Sequence, residues 1–134
     1  MARVLLIDDE EYVRMTLGQA LEDEGHAVLM ATNGRKGLEV FAAERPDLVI
    51  TDLLMPDKEG IETIRELRRI VPDVKIVVIS GGGRVNNVDF LEVARKFGAA
   101  AALRKPFPLD EFCKVVSDCL GPQAAGPTLS VVRS

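Results

Sequence analysis

Four short stretches of the chain carry residue types that could do chemistry together. They are Asp8-Asp9, backed by Glu10-Glu11; Asp52, after Ile50-Thr51; Ser80, followed by Gly81-Gly82-Gly83; and Lys105-Pro106. Carboxylates crowded into one place repel each other, and a hard divalent cation is the cheapest remedy. A Mg²⁺ ion held by few carboxylates keeps coordination positions for water and phosphate oxygens. A lysine ammonium suits a phosphate oxygen as a point charge, a serine hydroxyl can donate to another, and glycines let backbone approach closely. Carboxylates, metal, hydroxyl and ammonium together describe a phosphoryl-transfer site. The sole histidine, His26, lies in the first loop and the cysteines, Cys113 and Cys119, near the end. The candidate nucleophile is therefore a carboxylate, which would form an aspartyl phosphate.

Each stretch also has an ordinary explanation. Asp8-Asp9 can cap a helix, Asp52 can be a loop carboxylate, and Ser80 before glycines is common turn chemistry. Lys105 can be a solvated lysine at a strand end, and Glu10-Glu11 reads as a solvated first helical turn. The joint reading depends on which elements hold these residues.

Those elements alternate. Val4–Ile7, Val28–Ala31, Leu48–Thr51 and Val74–Ile79 are short Val- and Ile-rich runs that read as strands. Ala99–Leu103 is placed as a fifth strand by position, since alanine has little strand preference. Helical spacing recurs between them. Val13, Leu17, Ala20 and Leu21 precede a stop at Gly25; Leu38, Phe41 and Ala42 follow Asn33, a good N-cap. Ile61, Ile64, Leu67 and Ile70 run up to Pro72. Leu91, Ala94 and Phe97 lead to Gly98, with Asn86 or Asn87 as candidate cap. Leu109, Phe112, Val116, Cys119 and Leu120 end at Gly121-Pro122. Strict alternation of strand and helix predicts an α/β domain built on a parallel sheet with helices on both faces. In such sheets ligands bind beyond the carboxyl ends of the strands. The acidic pair, Asp52, Ser80 and Lys105 fall at the ends of the first, third, fourth and fifth strands. Four separate ordinary explanations would have to coincide there.

The 134 residues amount to one domain, with 47% hydrophobic and 28% charged residues, as in an ordinary water-soluble domain. A net charge of −4 argues against a nucleic-acid surface and offers no basic patch for anionic lipid. No apolar run reaches the roughly 20 residues needed to span a bilayer. Cys113 and Cys119 lie six apart on one predicted helix, nearly on opposite faces, so they cannot bridge each other. One is expected in the core and one at the surface, in a reducing compartment, the cytoplasm. The domain is expected over residues 1–120, with 121–134 as a disordered tail or linker.

Val4-Leu5-Leu6-Ile7-Asp8-Asp9-Glu10 resembles the first strand and acidic pair of response-regulator receiver domains. Val49 through Pro56 resembles their phosphoacceptor strand and loop, with Gly60 starting the next helix. Val78-Ile79-Ser80-Gly81 resembles their hydroxyl position, and Leu103-Arg104-Lys105-Pro106-Phe107 their lysine–proline signature. The resemblance covers about residues 2–120 and implies a flavodoxin-like doubly wound (βα)5 fold of strand order 2-1-3-4-5. It implies Asp52 as phosphoacceptor and Asp9 as a direct Mg²⁺ ligand. Asp8 would act mostly through water, with the backbone carbonyl of Leu54 as a further ligand. Ser80 and Lys105 would bind phosphoryl oxygens. The donor would be a histidine kinase or a histidine phosphotransfer protein, in a two-component phosphorelay read out by a protein partner. The chain is then a signalling module rather than an enzyme, catalysing only its own phosphorylation and dephosphorylation, with no nucleic-acid or membrane partner.

The sequence departs from that pattern before the lysine, where the stretch from Ser80 to Lys105 is also slightly longer than usual. Receiver domains usually carry Tyr or Phe three residues before the lysine, as a rotamer switch; here that residue is Ala102. The expected switch region is instead the loop that begins Gly81-Gly82-Gly83, with the helix after it, alongside Ala102. Two other functions compete. One is a phosphatase with an aspartate nucleophile, which commonly has a second aspartate two residues on; Leu54 stands there. The other is a degenerate receiver working by constitutive contact.

Overall fold

The computed structural model describes residues 2–52, 59–80 and 95–121. Five strands run β1 (Arg3–Ile7), β2 (Ala27–Ala31), β3 (Leu48–Asp52), β4 (Ile76–Ser80) and β5 (Ala101–Arg104). The helices among the described residues are α1 (Glu11–Asp23), α2 (Gly34–Glu44), α3 (Glu59–Ile70) and α4 (Leu109–Leu120). All strand pairings are parallel and the sheet order is β2-β1-β3-β4-β5, the flavodoxin-like order that the resemblance implies.

Successive side chains of a strand point to opposite faces, and the two cores follow that period. Leu5, Ile7, Val49, Ile76 and Val78 face Phe41 of α2 and Ile64 and Leu67 of α3. Val4, Leu6, Leu48, Ile50, Val77 and Ile79 face Leu17 and Leu21 of α1 and Phe112 and Val116 of α4. The central strands β1, β3 and β4 are thus covered on both sides, which is why they read as unbroken apolar runs. Each buried Leu, Val or Phe contributes about 1.5–3 kcal/mol of transfer free energy, so these layers hold the sheet rigid beneath its carboxyl edge. At Gly37 α2 lies so close to β1 that an added Cβ would come within 2.9 Å of Ile7 Cγ1.

Local signals mostly act as expected. Asn33 caps α2, its side chain accepting from Lys36 N at 2.8 Å. Gly25 follows α1 at φ 93°, a conformation open to glycine. Two readings shift. Val74 is not in β4: its N–H bonds back to Val71 O, its carbonyl accepts from Arg68, and ladder bonding begins with Val49 N to Lys75 O. β5 starts at Ala101 rather than Ala99, although Ala100 N already donates to Ile76 O at 2.7 Å. The cysteines differ too. Both are half-buried, and burial pushes both thiols up from their ordinary pKa.

Arg68 ties α3 to the chain entering β5. Its guanidinium donates to the carbonyls of Phe97 (3.2 Å), Pro72 (3.1 Å), Val74 (2.9 Å) and Gly98. Arg65 lies over the Phe97 ring, 5.7 Å from its centroid. The expected caps Asn86 and Asn87, and Leu91 and Ala94 of the expected helix, lie outside the described residues, as do Gly81, Gly82, Gly83 and the segment 122–134.

Candidate functional site

The parallel register brings the chemically capable residues to one edge. Asp52 is the last residue of β3, opposite Ile79, and Ser80 is the last residue of β4, opposite Arg104. Asp8 follows β1 directly, and Lys105 follows β5. All four lie at strand carboxyl ends, where the sequence places them. Leu54 lies outside the described residues.

Asp8 is fully buried and held from several sides. Its N–H donates to Ala31 O at 3.2 Å and its Oδ1 accepts from Glu10 N at 2.9 Å. Its carbonyl accepts from Arg14 Nη1 at 2.8 Å. Its remaining oxygen, Oδ2, lies 3.1 Å from Lys105 Nζ. These bonds orient the carboxylate before any ligand arrives. Asp9, next in the chain, is exposed. Asp8, Asp9 and Asp52 each offer a carboxylate oxygen, and these oxygens lie within 4.8 Å of one another. Hard oxygen donors of this kind, two of them buried, fit a Mg²⁺ ion.

Lys105 is the counter-charge. Its ammonium reaches Asp8 Oδ2 at 3.1 Å, Glu10 Oε1 at 3.4 Å and Asp52 Oδ2 at 3.5 Å. Burial pulls its pKa down, but the charges of Asp52, Asp8 and Glu10 and the bond to Asp8 outweigh it and leave it above the ordinary lysine value. The ammonium is therefore charged throughout the neutral range. Lys105 N donates to Ser80 O at 2.8 Å, joining the ends of β4 and β5, and the Lys105-Pro106 peptide bond is cis. Beneath this turn the Phe107 ring stacks on Phe112, centroids 5.8 Å apart.

Ser80 is buried, as is Thr51 beside Asp52. Ala102, opposite Val78, packs on the α2–α3 face of the sheet. Two participants escaped the sequence reading. Arg14, which holds the Asp8 carbonyl, looks like any arginine on a helix. Glu10 was expected to be solvated; it is exposed, but its carboxylate turns to Lys105. Neither carries a spacing signal, because each contact depends on backbone geometry at the end of β1.

No helix among the described residues is long and apolar enough to cross a membrane.

Comparison with known proteins agrees with the geometry. The family profile of the response regulator receiver domain matches residues 4–117. The chain is 29% identical over 118 residues to sporulation initiation phosphotransferase F of Bacillus subtilis (strain 168), covering 88% of this chain and 93% of that protein. It is 37% identical over 110 residues to response regulator MprA of Mycolicibacterium vanbaalenii, covering 81% of this chain but only 46% of that longer protein. Among solved structures, a response regulator receiver domain protein from Clostridium thermocellum superposes with a TM-score of 0.80 at 31% identity, covering 90% of this chain and 94% of that one.

Proposed function

The chain belongs to the response regulator receiver domain family of two-component signalling, and from that premise we propose that Asp52 accepts a phosphoryl group from a histidine kinase or a histidine phosphotransfer protein. The observation that carries the reading is the convergence of Asp8, Asp9, Asp52 and Lys105 on one sheet edge, with three carboxylate oxygens within 4.8 Å and an ammonium paired to two of those carboxylates.

In the transfer an Asp52 carboxylate oxygen forms the new P–O bond. The P–N bond of the donor phosphohistidine breaks, and its electron pair leaves with the imidazole. Asp8, Asp9, Asp52 and the Leu54 carbonyl would hold Mg²⁺, which when bound offsets carboxylate repulsion and neutralises charge on the transferring group. Lys105 donates to a phosphoryl oxygen as charge builds there, and the Ser80 hydroxyl donates to another. The Asp8 bonds to Glu10 N and Arg14 keep the acidic pair in place, so little reorganisation is left for the moment of transfer. Because Ser80 and Lys105 are joined through backbone, a pull on either reaches the segment that starts at Gly81. With alanine at position 102 we assign the readout by a protein partner to that segment and the residues after it. The setting is the cytoplasm, with residues 121–134 as tail or linker.

The test is incubation with acetyl phosphate and Mg²⁺, followed by mass spectrometry. One phosphoryl group should be added, on Asp52, and none to Asp52→Asn. Wild-type uptake by Asp52→Asn would overturn the assignment.

A further inference from the structure

Glu10 occupies the N-cap of α1 without capping it. Its side chain makes no cap hydrogen bond, and its own N–H is held by Asp8 Oδ1 at 2.9 Å. The carboxylate reaches instead to Lys105, 95 residues away in sequence, with Oε1 3.4 Å from Nζ. It is not among the carboxylates whose oxygens cluster within 4.8 Å.

An ammonium has three N–H donors. In this structure Lys105 has three carboxylate acceptors, on Asp8, Glu10 and Asp52. While Asp52 is still a free carboxylate, an incoming phosphoryl oxygen can be bound by Lys105 only if one of these contacts gives way. Asp8 and Asp52 have side chains 0% and 8% exposed, so little water can take the ammonium's place at either. Glu10 is 64% exposed and regains water when released, so it is the one that yields at least cost.

We propose that Glu10 is a positioning residue of the phosphoryl site: it competes with the phosphoryl group for Lys105, and so sets how tightly the site takes a phosphoryl group, without serving the metal. The proposal rests on the reading of Asp52 as acceptor. A released Glu10 carboxylate also stays close to the bound dianion, so its charge opposes phosphoryl binding in both states of the lysine.

The experiment compares the full chain with Glu10→Gln and Glu10→Ala at saturating Mg²⁺. The readouts are affinity for beryllofluoride, half-saturation by acetyl phosphate, and Mg²⁺ affinity alone. Both variants should bind beryllofluoride about threefold more tightly and half-saturate at correspondingly lower acetyl phosphate, the size expected of an exposed ion pair. Mg²⁺ affinity should stay within about twofold, and the gain should shrink at high salt. A merely structural role would weaken these readouts together; a selective gain cannot come from damage to the fold. Unchanged or weaker beryllofluoride binding in both variants would overturn the proposal, as would a fall in Mg²⁺ affinity that tracks it. If the wild type took up no phosphoryl group on Asp52, the functional reading itself would be what fails.

Discussion

Replacing Lys105 by Met keeps most of the side chain's bulk and removes its charge, and the geometry fixes the sign of two effects. Without metal, Asp8 and Asp52 lose a cation at 3.1 and 3.5 Å. Their oxygens and that of Asp9 stay within 4.8 Å of one another. Two unit charges at that spacing repel by about 3.5 kcal/mol at an effective dielectric of 20. Asp9 is exposed and part of the repulsion is screened, so the variant should lose about 2 kcal/mol of stability in a chelating buffer. With metal the order reverses. The arriving cation no longer shares two carboxylates with an ammonium, so Mg²⁺ affinity should rise by about threefold to tenfold, which is up to about 1.4 kcal/mol. That difference returns as stability, because a ligand at free concentration c that binds only the native state stabilises it by RT ln(1 + c/Kd). Urea unfolding followed by circular dichroism, in EDTA and in excess Mg²⁺, should therefore show a large gap between variant and wild type that narrows with metal. Calorimetric titration gives the affinity directly. A tenfold loss of Mg²⁺ affinity in Lys105→Met would refute the reasoning, since it would make the lysine a support of the metal rather than its competitor.

Two further outcomes follow from contacts away from this edge. Arg68→Ala should cost about 2 kcal/mol, as charge-assisted bonds to the carbonyls of Phe97, Pro72, Val74 and Gly98 are lost; Arg68→Lys should recover little, because an ammonium cannot span those acceptors, and wild-type urea stability in the Lys variant would contradict this. Burial, helped by the positive amino terminus, lowers the His26 pKa, and its Nδ1 accepts from Ala2 N at 3.3 Å. The unfolded chain then binds the extra proton first, so stability should fall as pH drops below the ordinary histidine value of about 6.5, down through the lower native value. His26→Gln should flatten that slope in unfolding curves taken across the window, and an unchanged slope would remove His26 as its cause.

The central strands and the site edge were legible in the sequence because one physical rule sets both. Val4–Ile7, Leu48–Thr51 and most of Val74–Ile79 are apolar because they are buried on two faces, and the first polar residue after each must fall at the sheet edge. Asp8, Asp52 and Ser80 follow from that alone. Lys105 was harder: β5 is mostly alanine, and it was placed by its order in the chain. What the sequence could not show are contacts chosen by the folded backbone. Arg68 gathers carbonyls from two loops, and a carbonyl is present at every residue, so no pattern marks the ones it will bind. The same bonding takes Val74, apolar and buried, out of the strand its composition suggests. Glu10 is a glutamate at a helix start, and nothing local says that it turns toward a lysine 95 residues on.

That lysine arrives late. Among the described residues β5 pairs only with β4, and Asp8 and its counter-charge are separated by 97 residues. Synthesis runs from β1 towards β5, so Asp8, Asp9 and Asp52, the three clustered carboxylates, are all made before residue 105. Until Lys105 is in place those carboxylates lack its ammonium, and dissolved cations are the partners at hand. The last strand to join therefore also closes the charge balance, and a chain that stops short of it is left with a sheet edge that repels itself.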